Sequence, residues 1–119
     1  MKPELGRSLP EELGRVHCIG IAGSGMSGIA RVLKEKGLEV SGSDRSDSEV
    51  ADSLRDAGIT VFIGHDASHL KGADTVVVSS AVRDNNPELM HARVNGLVVL
   101  HRSEALRWIM QGKKVLAVA

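Results

Sequence analysis

Short apolar runs alternate with helical patterns along most of this chain. The first run covers 16–21, and the helix predicted after it, at 25–36, carries apolar residues at spacings of three and four: Met26, Ile29, Ala30 and Leu33. Further strands are predicted at 39–43, 60–63, 75–80 and 98–100. Because strands alternate with helices over short links, we predict a Rossmann-like, doubly wound parallel α/β sheet of about five strands with helices on both faces.

Three more helices are predicted downstream. The first covers 48–57, the second is capped by Asn86, and the third begins at a Ser103 cap and ends at Gly112. The residues expected to face inward on the first of these helices are Val50, Leu54 and Ala57, and the third helix is expected to run through Ala105, Leu106 and Ile109. After them, the apolar segment 114–119 predicts the start of a sixth strand.

The composition indicates a globular domain without a bias toward nucleic acid. The chain of 119 residues carries 15 basic and 15 acidic side chains, and Phe62 and Trp108 are its only Phe, Trp or Tyr residues. A neutral chain with so few rings for base stacking does not favour nucleic-acid binding. No segment approaches the roughly 20 apolar residues of a membrane helix. The single cysteine, Cys18, fits a reducing compartment. We therefore expect a cytoplasmic protein with neither nucleic acid nor membrane as partner.

A glycine-rich loop follows the first predicted strand and opens the first helix. Its sequence GSGMSG matches the G-x-G-x-x-G pattern of phosphate-binding loops in the strand–loop–helix context that the pattern requires. The first glycine permits a tight turn, the second lets the backbone approach a diphosphate, and the third lets the helix pack close to the sheet. Backbone N–H groups and the helix dipole then hold the anion. The candidate ligand-binding residues of this loop are Gly23, Ser24, Gly25, Met26, Ser27 and Gly28.

An acidic residue stands where a ribose-binding carboxylate is expected. Asp44 lies 21 residues after Gly23, at the end of the second strand, with Ser43 before it. An acid there accepts hydrogen bonds from ribose hydroxyls, and its carboxylate would also suit the N3–H of a uracil. The neighbouring Arg45 suits a ribose phosphate. The alternative is that Asp44 caps a turn or the next helix.

Small and basic residues follow two later strands. Ser79, Ser80 and Ala81 end the fourth strand, where they leave room for a ligand, although an ordinary strand terminus explains them equally well. Arg102 follows the fifth strand and suits either an anionic group or a solvated helix start. Since the carboxyl ends of parallel strands meet at one edge, these segments should converge with the glycine loop on one crevice.

The histidines and the cysteine carry weaker signals. His17 lies inside the first strand and is interpreted as a satisfied core histidine. His65 and His69 have the spacing of some zinc ligands, but no third ligand is evident, so we interpret them as loop residues. Cys18 lies inside the first strand, where the pattern indicates no base beside the thiol, which argues against a nucleophile. We expect no metal site.

The residues alone leave the ligand open. A G-x-G-x-x-G loop with Asp44 and Arg45 fits the NAD(P)-binding domain of a dehydrogenase, and it also fits a regulatory module that senses a nucleotide. Several segments together are more specific. They are HCIGIAGSGMSGIARVL at 17–33, SGSD at 41–44, VVVSSAV at 76–82, DNNPE at 84–88 and LHRSEAL at 100–106.

With these segments, residues 13–119 resemble the N-terminal domain of the Mur ligase family. Ala22 departs from the glycine common in the family at that position. The SSA and HRSEAL segments are more similar to the alanine-adding members than to those that attach a recycled tripeptide to the same sugar nucleotide.

The resemblance implies that the loop at 23–28 holds the diphosphate of UDP-N-acetylmuramate. It implies that Ser43, Asp44 and Arg45 lie against the uracil and ribose, that residues 79–81 face the ligand, and that Arg102 lies on the sugar or carboxylate side. The full-length ligase would act in peptidoglycan synthesis, with ATP and Mg²⁺ bound by a central domain and L-alanine by a C-terminal domain.

The resemblance also implies three parts in this chain. We expect 1–14 to be a flexible leader, 15–112 to be the UDP-sugar-binding domain, and 113–119 to begin the linker or strand into the ATP-binding central domain. On this view the chain is a fragment that needs no cofactor of its own, and it does not catalyse the reaction alone.

Overall fold

Five short strands form one sheet in the computed structural model, which describes residues 9–118 and, beyond residue 111, only the course of the backbone. The strands are β1 (Val16–Ile19), β2 (Val40–Asp44), β3 (Thr60–Ile63), β4 (Thr75–Val78) and β5 (Val98–His101). The helices are α1 (Ser24–Glu35), α2 (Glu49–Asp56), α3 (Pro87–Val94) and α4 (Arg102–Val118), with a 3-10 helix at Ala67–Leu70 that the sequence analysis did not anticipate.

The strand order is β3-β2-β1-β4-β5, and all neighbouring strands are parallel. The chain moves outward from β1 to β3 and then crosses back to β4, so the order reverses beside β1. Ligands of open parallel sheets bind at such a reversal, outside the carboxyl ends of the strands. The predicted doubly wound α/β fold is confirmed.

Each face of the sheet packs against its own apolar core. One core includes Val16 and Cys18 of β1 together with the predicted inner face of α1, all buried. The other core includes Ile19 with Leu70 of the 3-10 helix and Leu89 of α3. Because successive strand residues point to opposite faces, the fully buried β1 contributes side chains to both sides of the sheet.

The predicted cap of α3 is confirmed, and α2 differs in part. The Asn86 side chain accepts from the backbone N–H of the residues two and three positions later, at 2.9 and 3.4 Å. In α2, Leu54 faces inward as expected, whereas Val50 is 39% exposed and Ala57 lies outside the helix. The helix is only eight residues long, so a single narrow stripe, Ala51 and Leu54, reaches the core.

Helix α4 begins and ends differently from the prediction. It starts directly after β5, and the imidazole of His101, rather than Ser103, caps it by accepting from the Ser103 N–H at 3.1 Å. The Glu104 carboxylate accepts in turn from the His101 N–H at 2.9 Å, which is the returning half of a capping box. The helix runs through Ala105, Leu106 and Ile109 as expected; Ala105 and Ile109 are buried, whereas Leu106 is 48% exposed.

The structure continues α4 past Gly112 to Val118, so it shows helix where the start of a sixth strand was predicted. Leu and Lys favour helix, so a short apolar run of this kind is ambiguous from its sequence. Ala119 lies outside the described residues. The assignment of 113–119 as a link to a further domain stays a prediction.

The described part of the expected leader is tied to the domain. Leu13 is 1% exposed, its carbonyl oxygen accepts from the Thr75 hydroxyl at 2.6 Å, and the Pro10 carbonyl oxygen accepts from the Trp108 indole N–H at 2.9 Å. Residues 9–13 therefore do not form the flexible segment expected, because burial and long-range hydrogen bonds hold them. Residues 1–8 lie outside the described residues. None of the helices in 9–118 combines the length and apolar character that a membrane crossing needs.

Candidate functional site

The loop between β1 and α1 is fastened to the end of β2. The N–H groups of Gly20 and Ile21 both donate to the Ser43 carbonyl oxygen, at 2.8 and 3.0 Å. Gly20 has φ +77°, a conformation that side chains disfavour, and its carbonyl oxygen accepts from the Gly23 N–H at 3.0 Å. The tight turn therefore centres on Gly20, three residues before the first glycine of the motif, which has the ordinary extended φ of −62°.

The N-terminus of α1 is left open by this turn. Gly23 occupies the cap position without a side chain that could accept from the first-turn N–H groups, and no acidic residue lies in that turn. Ser24 and Ser27 are near this end, where the Ser27 hydroxyl makes only a long 3.5 Å bond to the Ser24 carbonyl oxygen. Met26 is 3% exposed, so its side chain belongs to the core. Unpaired N–H groups and the helix dipole make this end suited to an anion.

A guanidinium lies against the same helix end. A Cβ added to Gly25 would collide with Nη1 of Arg102, which therefore occupies the space that this glycine leaves free. Arg102 follows β5 in the sequence and is exposed. The structure thus brings together the N-terminus of α1 at Gly25 and the guanidinium of Arg102, which are 77 positions apart in the sequence. Both favour a negatively charged ligand.

The surroundings of Gly28 differ from those expected. A Cβ added there would meet no atom within 4 Å, so the explanation that Gly28 lets the helix pack close to the sheet is wrong. It faces an open groove of about 690 Å³ between α1 and α4, whose mostly apolar walls include Ile29, Leu106 and Met110. Gly25 and Arg102 also line this groove.

Asp44 holds the glycine loop from the β2 side. Its Oδ2 accepts from the Ala22 N–H at 3.1 Å. Ser48, not Asp44, caps α2 by accepting from the Ala51 N–H at 3.1 Å, so the alternative of a helix cap is wrong for Asp44. The alternative that Asp44 caps a turn is confirmed by its bond to the Ala22 N–H. That bond uses only Oδ2, and Oδ1 makes no hydrogen bond with any described residue. Arg45 follows directly and is exposed.

The segment after β4 lies at the same edge. Ser79 is half-buried, Ser80 and Ala81 are exposed, and the Ser79 carbonyl oxygen closes a turn by accepting from the Val82 N–H at 3.1 Å. Within the described residues neither serine hydroxyl makes a hydrogen bond. Both hydroxyls are therefore available to a ligand.

A buried polar cluster next to this edge was missed by the sequence analysis. Its centre is Glu88, at the start of α3, which is fully buried. Oε1 of Glu88 accepts from His17 Nε2 at 2.7 Å and from the Ser43 hydroxyl at 2.6 Å, and Oε2 accepts from His69 Nδ1 at 2.8 Å. We call Glu88, His17, Ser43, His65 and His69 the Glu88 cluster.

The cluster joins four separate parts of the chain. Oε2 of Glu88 also accepts from the backbone N–H of Asp66 at 3.1 Å, directly after His65. Nδ1 of His65 lies 2.9 Å from the Ser43 hydroxyl oxygen. Burial by itself raises the pKa of the Glu88 carboxyl, but the hydrogen bonds from His17, Ser43 and His69 outweigh it and lower that pKa from 4.5 to about 2. Glu88 is therefore ionised at neutral pH, and one carboxylate ties β1, β2, the segment after β3 and α3 together.

The expected roles of the histidines and Cys18 hold only in part. His17 is a satisfied core histidine, since Ser41 and Glu88 occupy its two ring nitrogens. His65 lies in the loop after β3, as expected, whereas His69 lies in the 3-10 helix. Both are close to Glu88, and His69 also stacks on Phe62 with ring centroids 4.2 Å apart. Burial raises the pKa of the Cys18 thiol to about 12, so a nucleophilic role is disfavoured. Polar residues at apolar positions of β1 and β2 were the sequence signal for this cluster.

Comparison with known proteins matches residues 15–114 to the family described as "Mur ligase family, catalytic domain". The UDP-N-acetylmuramate–L-alanine ligase of Clavibacter michiganensis subsp. michiganensis is 49% identical over 117 residues, which are 98% of this chain and 25% of that protein. This chain thus spans about a quarter of the length of that relative.

Two solved structures share the fold closely. A UDP-N-acetylmuramate–alanine ligase from Thermotoga maritima superposes with a TM-score of 0.80 at 34% identity, over 84% of this chain and 23% of the other. A UDP-N-acetylmuramate:L-alanyl-γ-D-glutamyl-meso-diaminopimelate ligase from Neisseria meningitides gives 0.70 at 31% identity, over 76% of this chain and 29% of the other.

Proposed function

Because this chain belongs to the Mur ligase family, we propose that it binds UDP-N-acetylmuramate for an ATP-dependent ligase that adds L-alanine to that sugar nucleotide in the cytoplasm. The proposal of alanine as the added group rests on relatives such as the Clavibacter michiganensis ligase, which covers almost the whole chain.

The observation that carries the binding role is the meeting of Arg102 with the open N-terminus of α1. Two phosphates of a nucleotide bring two or more negative charges, and the first-turn N–H groups with one guanidinium supply matching donors. Gly25 lacks the Cβ that would push the guanidinium away. A ligand diphosphate would take the place between them, with the Ser24 and Ser27 hydroxyls close by.

The nucleoside and the sugar then extend in opposite directions from the diphosphate. Asp44, with Ser43 and Arg45, lies on the β2 side, and its Oδ1 would accept from the ribose or the uracil. The groove between α1 and α4 includes Gly25 and Arg102 in its lining, and its volume of about 690 Å³ has room for a sugar. Ser79, Ser80 and Ala81 would border the ligand across the edge of the sheet.

The ATP and magnesium of the reaction would act through other parts of the full-length enzyme. The ligase from Clavibacter michiganensis is about four times as long as the region matched here. Within the residues that the structure describes, no group of three His, Cys, Asp or Glu side chains is arranged to hold a metal ion. This domain's own part is to hold the muramyl carboxylate in place for the chemistry.

Calorimetry with UDP, UDP-N-acetylmuramate and NADH tests the proposal. We expect binding of both uridine ligands and not of NADH. The variant Asp44→Ala should weaken uridine-nucleotide binding by roughly 1–3 kcal/mol, the scale of a hydrogen bond to a charged group. Asp56→Ala, at the exposed end of α2, is the control and should bind like the wild type.

The outcomes separate the candidate functions. Binding of NADH with no binding of UDP would contradict the ligase domain and favour the NAD(P)-binding alternative. Unchanged affinity in Asp44→Ala would remove Asp44 from the site while leaving the ligand class intact.

A further inference from the structure

The Glu88 cluster contains one nitrogen whose role can be deduced from the protons around it. Glu88 is ionised, so both of its oxygens only accept hydrogen bonds. The Ser43 hydroxyl has one proton, and at 2.6 Å from Oε1 it donates that proton to Glu88. The Ser43 oxygen is then an acceptor toward its second neighbour, Nδ1 of His65, 2.9 Å away.

It follows that Nδ1 of His65 carries a proton. Its second neighbour supports this, since Oε2 of Glu88 lies 3.6 Å from the same nitrogen and attracts a donor. In the neutral ring, a proton on Nδ1 leaves Nε2 with a free lone pair. The tautomer is thus set by a relay from Glu88 through Ser43, as second partners commonly set the tautomer of functional histidines.

His65 lies beside the candidate site. Its Nδ1 is held against Ser43, which is fully buried, while 22% of the His65 side chain is accessible. Nε2 makes no hydrogen bond with any described residue. The backbone also places it there, because the Gly64 N–H donates to the Asp44 carbonyl oxygen at 2.7 Å, and His65 follows immediately.

We propose that His65 is a further ligand-binding residue of this site, whose Nε2 accepts a hydrogen bond from an N–H or O–H group of the bound nucleoside, and that Glu88 is a positioning residue that fixes this tautomer through Ser43. The first part rests on the proposed nucleotide-binding function, whereas the tautomer does not depend on any ligand. A buried carboxylate with all its lone-pair directions filled would hold the acceptor nitrogen in one orientation.

The tautomer is tested first, without ligand. Long-range ¹H–¹⁵N correlation spectra distinguish a protonated from an unprotonated imidazole nitrogen, and the His65→Gln variant assigns the His65 signals by their loss. We expect a protonated Nδ1 and an unprotonated Nε2 in the wild type at pH 8. Ser43→Ala removes the acceptor for Nδ1 and should convert His65 to a mixture of tautomers. A protonated Nε2 in the wild type, or an unchanged tautomer in Ser43→Ala, would overturn the relay.

Binding of UDP tests the acceptor role. His65→Ala should raise the Kd for UDP about 5–10-fold, the effect of one lost hydrogen bond. His65→Gln and His65→Asn form a matched pair, because the Gln amide oxygen reaches the position of Nε2 whereas Asn reaches only that of Nδ1. We expect Gln to retain more affinity than Asn. Equal affinity of His65→Ala and the wild type, or better binding by Asn than by Gln, would refute the acceptor role.

Three analogues identify the donor. If the uracil N3–H is the partner, N3-methyl-UDP should bind weakly to the wild type and lose nothing further in His65→Ala. If a ribose hydroxyl is the partner, 2′-deoxy-UDP or 3′-deoxy-UDP should do so. Retained sensitivity to His65→Ala with all three analogues would show that none of these groups bonds to Nε2 and would contradict the proposal. A wild type that binds no UDP would refute the proposed function and with it the acceptor role, while the tautomer measurement would still decide the relay.

Discussion

The charge on Glu88 should stabilise the fold, and replacing it by the neutral Glu88→Gln tests this directly. The carboxylate accepts four hydrogen bonds, from His17, Ser43, the Asp66 N–H and His69. An amide keeps the shape, but its NH₂ group would face two of these donors. The Gln variant therefore loses both the charge and half of the acceptor capacity in a buried place.

The magnitude follows from the pKa of Glu88, which is lowered from 4.5 to about 2. A shift of this size corresponds to about 3 kcal/mol of stability by linkage. Because His65 and His69 are partly open to solvent, screening reduces this stabilisation. We therefore expect Glu88→Gln to lower the free energy of unfolding by about 2 kcal/mol at pH 7. Glu35→Gln, on the exposed side of α1, is the control and should stay within about 0.5 kcal/mol of the wild type.

The sign of the pH dependence gives a second readout. The folded pKa lies below the unfolded one, so the stabilisation is complete above pH 4.5 and is lost as the pH falls toward 2. Between pH 5 and 3.5 the wild type should lose about 1 kcal/mol more than Glu88→Gln. This window lies below the ordinary range of histidine, near 6.5. Hydrogen bonds from the Ser48 and Ser68 N–H groups also lower the pKa values of Asp47 and Asp66, but both residues are present in both proteins.

Urea unfolding followed by circular dichroism at the two pH values measures both quantities. Equal stability of Glu88→Gln and the wild type at pH 7 would mean that the carboxylate contributes nothing beyond its shape. Parallel losses between pH 5 and 3.5 would mean that its folded pKa is not lowered. Either result would refute the account of Glu88 as an ionised centre that holds four parts of the chain.

Three further predictions concern glycines and the cysteine. Gly25→Ala should displace the Arg102 guanidinium and weaken UDP binding about tenfold with little loss of stability, whereas Gly28→Ala, which meets open space, should bind UDP normally and gain up to about 1 kcal/mol in unfolding measurements; equal binding by the two variants would contradict the arginine contact. Gly42→Ala would bring a Cβ within 2.7 Å of the Cys18 carbonyl oxygen, so it should lower the free energy of unfolding by about 1–3 kcal/mol, and an unchanged urea midpoint would contradict this packing. The Cys18 thiol, buried and with its pKa raised to about 12, should react with a thiol reagent at pH 8 at least about 100-fold more slowly in the folded than in the unfolded chain, and fast labelling of the native protein would show that β1 is accessible.

Local patterns were sufficient for the strands, most of the helices and the glycine loop. The inner face of α1 follows from spacings of three and four, and the cap of α3 follows from Asn86 and Pro87 alone. These features depend on neighbours within about one or two helical turns, which the sequence displays directly. The continuation of α4 past Gly112 was missed because a short apolar run fits helix and strand alike.

What the sequence by itself determined is the order of strands and helices, and with it the edge of the sheet where Gly23–Gly28, Asp44 and Ser79–Ala81 meet. Only the tertiary structure decided which distant side chains share that edge. Arg102 fills the space left by Gly25, and Glu88 gathers His17, Ser43, His65 and His69, with partners up to 71 positions apart. Such contacts leave no periodic signal, because a buried carboxylate is stabilised by donors from other elements and not by its neighbours in the chain.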